Sequence, residues 1–234
     1  MSDFVLVHGA WHGAWCWRRV LPTLWGAGHR VFTISLSGVG ERAHLLSPDI
    51  RLQTHIDDVA SVIEAEELEQ AVLVGHSYAG MVITGVADRM PARIGQLVYL
   101  DAVVPEPGES WSSRHSAATQ AERRALIERH GCLPALPPTA FGLQAEDARW
   151  VERRQTAHPG GVYDDPLHFD PARLAALPRS FIDCTDPALP TIAVARQRVR
   201  EQPGWQVMEI ATGHDAMISA PEALCDALLS LAKQ

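Results

Sequence analysis

The chain is expected to fold as an α/β protein: a doubly wound, mostly parallel six-stranded sheet with a helical cap inserted late in its order. Three observations carry that expectation. Short, β-branched apolar runs alternate with stretches of helical spacing over the first hundred residues and again over the last fifty, the pattern that builds βαβ units. Polar and glycine residues gather where the apolar runs stop, as they do at the carboxyl ends of parallel strands. The composition then changes after Val104, where Pro, Arg, Glu, Asp and His crowd the chain as far as Leu177. A structureless loop of that length is uncommon in a compact domain. Residues 1–104 and 178–234 are therefore read as the core, and 105–177 as a cap or lid.

The elements follow in order. Phe4 to Val7 is a first strand, leading into His8-Gly9-Ala10-Trp11-His12-Gly13. Trp17, Val20, Leu21, Leu24 and Trp25 have helical spacing over 17–27, with Pro22 inside the stretch and Gly28 as its stop. Val31 to Ile34 is the second strand, followed by a long connection broken by Gly38, Gly40 and Pro48. Thr54 is expected to cap the next helix, with Asp57 completing an imperfect capping box. Ile56, Val59, Val62 and Ile63 form its apolar face. Ala71 to Val74 is the third strand, and the helix after it stops at Pro91. Leu97 to Leu100 is the fourth, ending at Asp101. Weak helical patterns near 121–130 and 145–154 lie in the insertion. Ser180 to Cys184 and Trp205 to Ile210 are strands five and six, with a helix over 191–199 between them and another from Pro221 to Leu231.

Composition narrows the function classes. At 234 residues the chain is long enough for a full core. Its net charge of -8 argues against nucleic acid or an anionic membrane surface as partner. No apolar run approaches the roughly 18 residues that a membrane span needs. The first strand begins at Phe4, so no signal peptide is expected ahead of it and the location is expected to be cytoplasmic. Cys16, Cys132, Cys184 and Cys225 show no paired spacing and are read as free thiols. His8 and His12 have a spacing that binds metal on a helix, but glycines make this stretch a loop, so no metal is expected.

Chemistry is concentrated in Val72-Leu73-Val74-Gly75-His76-Ser77-Tyr78-Ala79-Gly80-Met81. A buried strand, a sharp turn with small residues two before and two after a serine, and a following helix together make a nucleophile elbow. Ala79 stands where glycine is more usual, with Gly80 next. A serine hydroxyl needs an imidazole to take its proton, and the imidazole needs a carboxylate to orient it. His214, after the sixth strand in Gly213-His214-Asp215, is the expected base, and His76 is read as structural. Asp186, after the fifth strand, is the leading acid; Asp101 and Asp183 are the alternatives. The backbone N–H groups of Ala10 and Tyr78 are the expected oxyanion donors. Trp11, His12, Trp111 and Trp150 are expected at the substrate pocket, with Leu133, Phe141 and Leu143 as further cap residues that could line it.

The stretches 4–15, Gly75-His76-Ser77-Tyr78-Ala79-Gly80 and Gly213-His214-Asp215 together resemble the α/β-hydrolase superfamily. More narrowly, they resemble its methylesterase and hydroxynitrile lyase group, and 36–45 looks most like the bacterial esterase branch. The resemblance implies a cofactor-free serine hydrolase acting on small-molecule esters, with a lid over a small apolar pocket. A homodimer is compatible with it. Three departures stand out. Asp186 follows Thr185 directly, where the group usually has one residue between threonine and the acid. Gly9 stands where the lyases place a threonine. Asp215 stands where they place a lysine that stabilises departing cyanide. The last two argue against cyanohydrin cleavage. A ligand-binding homologue without turnover is the reading from another class.

Overall fold

A computed structural model describes residues 1–232. Four strands come first: β1 (Asp3–Val7), β2 (Arg30–Ile34), β3 (Ala71–His76) and β4 (Ile94–Leu100). After a short ribbon of β5 (Cys132–Leu133) and β6 (His158–Pro159) come β7 (Arg179–Cys184) and β8 (Trp205–Ile210). Six of these form one sheet in the order β2-β1-β3-β4-β7-β8, with every pair parallel. The chain steps outward from β1 to β2, then returns to lay β3 on the other side of β1. That reversal opens a crevice above the carboxyl ends of β1 and β3, the place where open parallel sheets bind ligands.

Helices cover both faces. They are α1 (Leu21–Gly26), α2 (Leu52–Ala65), α3 (Ala79–Arg89), α4 (Ala117–His130), α5 (Ala145–Glu152), α6 (Pro171–Ala175), α7 (Ala193–Glu201), α8 (Ala216–Ser219) and α9 (Pro221–Leu231). The period-two alternation of each strand divides the interior into two cores. Val5, Val7, Leu73, Leu97 and Phe181 pack with Ile56, Ile63, Val82, Val86 and Val199 on one face. Phe4, Leu6, Val74, Val98 and Ile182 pack with Trp17, Leu24, Leu224 and Leu228 on the other. Strands buried on both faces must be apolar at nearly every position, as β1 and β3 are.

Two local expectations change. The stretch 17–27 is a 3-10 turn (Ala14–Arg19) followed by the short α1, because Pro22 has no N–H to donate and suits only a first helical turn. The helix expected to start at Thr54 begins two residues earlier, at Leu52. The Thr54 hydroxyl reaches back to accept from the Arg51 N–H at 3.1 Å, and the Asp165 carboxylate accepts from the Leu52 N–H at 2.9 Å. Between β4 and β7 the chain leaves the sheet and builds α4, α5, α6 and the β5–β6 ribbon. Its end returns to the sheet layer, where the Asp170 N–H donates to Asp88 of α3 at 3.0 Å. Among the described residues no helix is long and apolar enough to cross a membrane.

The small residues after β3 are set by close approach. A Cβ on Gly80 would lie 1.9 Å from the Val103 carbonyl oxygen, and one on Gly75 would lie 2.8 Å from that of Ala79. The glycine demand on the helix side therefore falls on Gly80, and Ala79 is tolerated. Gly80→Ala is expected to cost about 3 kcal/mol or more, since backbone must move. Ala79→Gly should cost only about 1 kcal/mol, the usual helix-interior difference. Urea unfolding midpoints of the two variants check this.

Candidate active site

Ser77 sits at the top of the turn between β3 and α3 with φ of +55°, a conformation in which non-glycine residues are held only by their surroundings. Its N–H donates to Leu100 O at 3.2 Å, and its carbonyl accepts from Gly80 at 3.1 Å and Val103 at 3.0 Å. Trp11 after β1 and Asp101 after β4 share the positive φ, at +65° and +40°. Three strained residues thus stand together at the carboxyl end of the sheet. Gly9 is required there as well: a Cβ would come within 2.8 Å of both Ser77 Cβ and His76 Nδ1.

Asp101, not Asp186, meets the histidine. The Asp101 N–H donates to Ile182 O at 2.7 Å, extending the β4–β7 pairing by one residue. Its buried carboxylate then turns toward the loop after β8. Asp101 Oδ2 lies 2.6 Å from His214 Nδ1. Oδ1 accepts from Arg196 Nη2 at 2.7 Å. Asp186 is exposed, in a tight turn in which Thr185 bridges to Ala188. With no residue between Thr185 and Asp186, the turn closes too early to carry that carboxylate inward. Asp183 is buried within β7 and is held by Arg196 and Arg200 instead of His214. Burial works against the charge of Arg196, but the carboxylates of Asp101 and Asp183 hold its pKa above the ordinary value.

Behind His214 lies a buried cluster of imidazoles. His76 lies beside it, ring centroids 4.5 Å apart and planes tilted by 44°, and its Nε2–H donates to His214 O at 3.1 Å. His76 is thus a strut for the loop that carries His214. Asp215 is fully buried, with carboxylate oxygens 3.3 Å from His12 Nε2 and 3.5 Å from His76 Nε2. Burial alone would raise its pKa, but His12 holds it down to about 2. Burial would likewise lower His12, and Asp215 outweighs it, so that His12 is raised. His76, His214 and Asp215 bring one donor atom each within 4.8 Å of one another. Those groups are already engaged by His12, Asp101 and the His214 carbonyl.

Two further imidazoles hold the loops. His8 Nδ1–H donates to Gly9 O at 2.7 Å, while Nε2 accepts from the Leu36 N–H at 3.1 Å. His55 Nε2–H donates to Ser37 O at 2.9 Å, and Nδ1 accepts from the Tyr78 hydroxyl at 3.0 Å. Burial pushes these two down to about 3 and about 4. Tyr78 is thereby anchored at its side chain, which fixes the backbone next to Ser77. Among the described residues neither the Ala10 N–H nor the Tyr78 N–H donates a hydrogen bond to the protein, so both are available to a ligand.

Ser77 and His214 line one small cavity of about 90 Å³, with Trp11, Trp111, Phe141 and Ile192 among its walls. Among the described residues Ser77 Oγ forms no hydrogen bond, as is common in such sites before substrate arrives. A larger cleft of about 400 Å³, lined by Tyr99, Phe169 and Trp205, contains neither residue and lies apart from this chemistry. Trp11 and Trp111, expected at the pocket, both line this cavity. His12 and Trp150 do not: His12 faces Asp215 behind the site, and Trp150 packs against Trp15 beside Arg19 and Arg154. Asp215 is also outside the cavity wall. Of the further cap candidates, Phe141 lines the cavity, whereas Leu133 and Leu143 do not. Sequence reasoning missed Arg196, Arg114 and Arg123, arginines in stretches that carry no local motif.

Comparison with known proteins agrees with this architecture. The model of the alpha/beta hydrolase family matches residues 4–227. The carbendazim hydrolyzing esterase of Nocardioides sp. (strain SG-4G) is 42% identical, over 99% of this chain and 100% of the relative. A probable esterase of Oryza sativa subsp. indica, PIR7A, is 29% identical over 99% and 97%. Among solved structures, an extracellular alpha/beta-hydrolase from a Paenibacillus species superposes with a TM-score of 0.87 at 21% identity, covering 98% of each chain. The chain belongs to the α/β-hydrolase family. Within it, the chain is a carboxylesterase-type hydrolase.

Proposed function

We propose that the protein hydrolyses small carboxylic esters through an acyl-enzyme on Ser77, with His214 as base and Asp101 as the carboxylate that orients it. Ser77 Oγ attacks the acyl carbon while His214 Nε2 takes its proton. Asp101 Oδ2 accepts from Nδ1–H, which fixes the tautomer and stabilises the imidazolium. The oxyanion is received by the N–H groups of Ala10 and Tyr78. Collapse expels the alcohol, which leaves with the proton held by His214. Water then repeats the sequence, giving its proton to His214, and releases the acid and free Ser77. Residues from the segment between β4 and β7, Trp111 and Phe141 among them, serve as the cap that keeps bulk water from the acyl group.

The observation that supports this reading most is the 2.6 Å contact between Asp101 and His214, with His214 and Ser77 on one cavity wall. Cyanohydrin cleavage is disfavoured. Gly9 leaves no room for a side-chain hydroxyl, and Asp215 is turned away from the cavity and paired with His12. Stopped-flow hydrolysis of 4-nitrophenyl butyrate tests the proposal. Wild-type protein should show a burst of nitrophenolate followed by slower turnover, and Ser77→Ala should lose both by at least about 10³-fold. Retention of turnover in Ser77→Ala would overturn the assignment. Carbendazim belongs in the same panel because of the 42% identical relative.

A further inference from the structure

The charged side chains that line the cavity with Ser77 and His214 are basic, although the chain as a whole carries a net charge of -8. Two arginines, Arg114 and Arg123, line it, and no aspartate or glutamate does among the described residues. Arg114 is matched by Glu109 just outside the wall. Arg123 has no carboxylate partner among the described residues, and its Nη1 is buried without a hydrogen bond. The guanidinium instead lies against three aromatic rings, 5.2 Å from the centroid of Trp111, 5.6 Å from Tyr163 and 5.7 Å from Trp11. Trp11 and Trp111 are themselves cavity walls.

Such a cage fixes the plane of the guanidinium and strips much of its water; the Tyr163 hydroxyl can face one edge of it, but Nη1 is left buried without an acceptor. A desolvated donor without an acceptor is costly, and a ligand oxygen that reaches it recovers that cost. His115, also on the wall, does not compete as a charge, because burial and Arg123 push its pKa down to about 4. Its Nδ1 is taken by the Tyr163 hydroxyl at 3.1 Å.

We propose that Arg123 is a specificity-determining residue that receives a carboxylate on the substrate, so that the preferred esters are short ones bearing a second, ionised carboxyl group. The inference rests on the ester-hydrolase reading above and deepens it. It does not require Arg123 to take part in bond making. The carboxylate can sit on either side of the scissile bond, and two probe pairs separate those cases. Monomethyl glutarate against methyl hexanoate places the charge on the acyl chain. Acetoxyacetate against propyl acetate places it on the alcohol.

The test is kcat/KM at low ionic strength, followed by pH-stat, for wild type, Arg123→Leu and Arg123→Lys. Wild type should prefer the anionic member of at least one pair by about tenfold or more, the size of a charge-assisted contact. Arg123→Leu should abolish that preference, and Arg123→Lys should keep a reduced one. Added salt should erode it in wild type to the extent that the site is open to ions. A wild-type preference for both neutral esters, or an Arg123→Leu loss that falls equally on anionic and neutral esters, overturns the proposal and leaves ester hydrolysis standing. Glutarate binding by calorimetry gives a readout independent of turnover. Binding that Arg123→Leu abolishes supports the carboxylate site even if no ester is cleaved, and no glutarate binding to wild type overturns it.

Discussion

Asparagine in place of Asp101 is expected to lower kcat on 4-nitrophenyl butyrate by about 10³–10⁴-fold, the usual scale for losing the carboxylate behind a catalytic histidine. Asp186→Asn should leave it within about twofold, as exposed substitutions do. The contrast follows from geometry. Asp101 is fully buried and contacts His214 Nδ1 at 2.6 Å, while Asp186 is exposed at the edge of β7. An asparagine amide can offer Nδ1 a donor as readily as an acceptor, so the imidazole loses its fixed tautomer and the support for its charge. The second oxygen of Asp101 is held by Arg196, which also holds Asp183. Arg196 thus sets the direction of Asp101 from outside the cavity wall. Thermal melts of both variants separate a catalytic loss from a folding loss. Equal activity in Asp101→Asn and wild type would remove Asp101 from the mechanism.

The second large effect is on stability in acid. In the folded protein His8 titrates at about 3 and His55 at about 4, because burial disfavours their charged forms. His76 and His158 are lowered for the same first reason. In the unfolded chain each titrates near the ordinary histidine value of about 6.5. Below that value the unfolded state binds protons that the folded state refuses, so stability falls as pH falls, until each folded pKa is reached. His8 and His55 together should remove roughly 5–6 kcal/mol between pH 6.5 and 4, a large share of the whole stability of an ordinary domain, about 5–15 kcal/mol.

The His12–Asp215 pair works with other signs. Asp215, lowered to about 2, stabilises the fold above its unfolded pKa and loses that contribution only as pH falls through about 2. His12, raised, contributes fully below about 6.5 and loses its contribution as pH rises through its folded pKa. Neither contribution is lost between pH 6 and 4, where the buried neutral imidazoles dominate. A cooperative collapse of the near-ultraviolet circular dichroism in that window is therefore expected. A melting temperature that stays flat from pH 7 to 4 would contradict the burial account.

How far the sequence could be read depended on how local each signal is. Gly75, Ser77 and Gly80 act within one turn, so strand, candidate nucleophile and helix were all visible in a dozen residues. His214 stands in a short motif after the last strand and was visible for the same reason. The carboxylate was not, because three aspartates end or follow neighbouring strands and only tertiary geometry decides among them. Asp101 turns inward through its own positive φ and the extra β4–β7 hydrogen bond, neither of which leaves a mark in composition. The one visible sign was the missing residue between Thr185 and Asp186. Trp150 and His12 show the opposite limit: both resemble pocket residues by type, yet their directions depend on packing partners far along the chain. Arg123 was hidden in a weakly amphipathic helix, and its cage is assembled from residues 11, 111 and 163.

The central claim is that Ser77 forms a covalent bond to the acyl group during turnover. Its most direct measurement is intact-mass and peptide-mass spectrometry after treatment with a fluorophosphonate, with and without prior saturation by 4-nitrophenyl butyrate. One adduct per chain, carried on the peptide that contains Ser77, slowed by substrate and absent from Ser77→Ala, is the expected result. An unmodified Ser77 in protein that still hydrolyses the ester, or an adduct on another residue that abolishes activity, would contradict it.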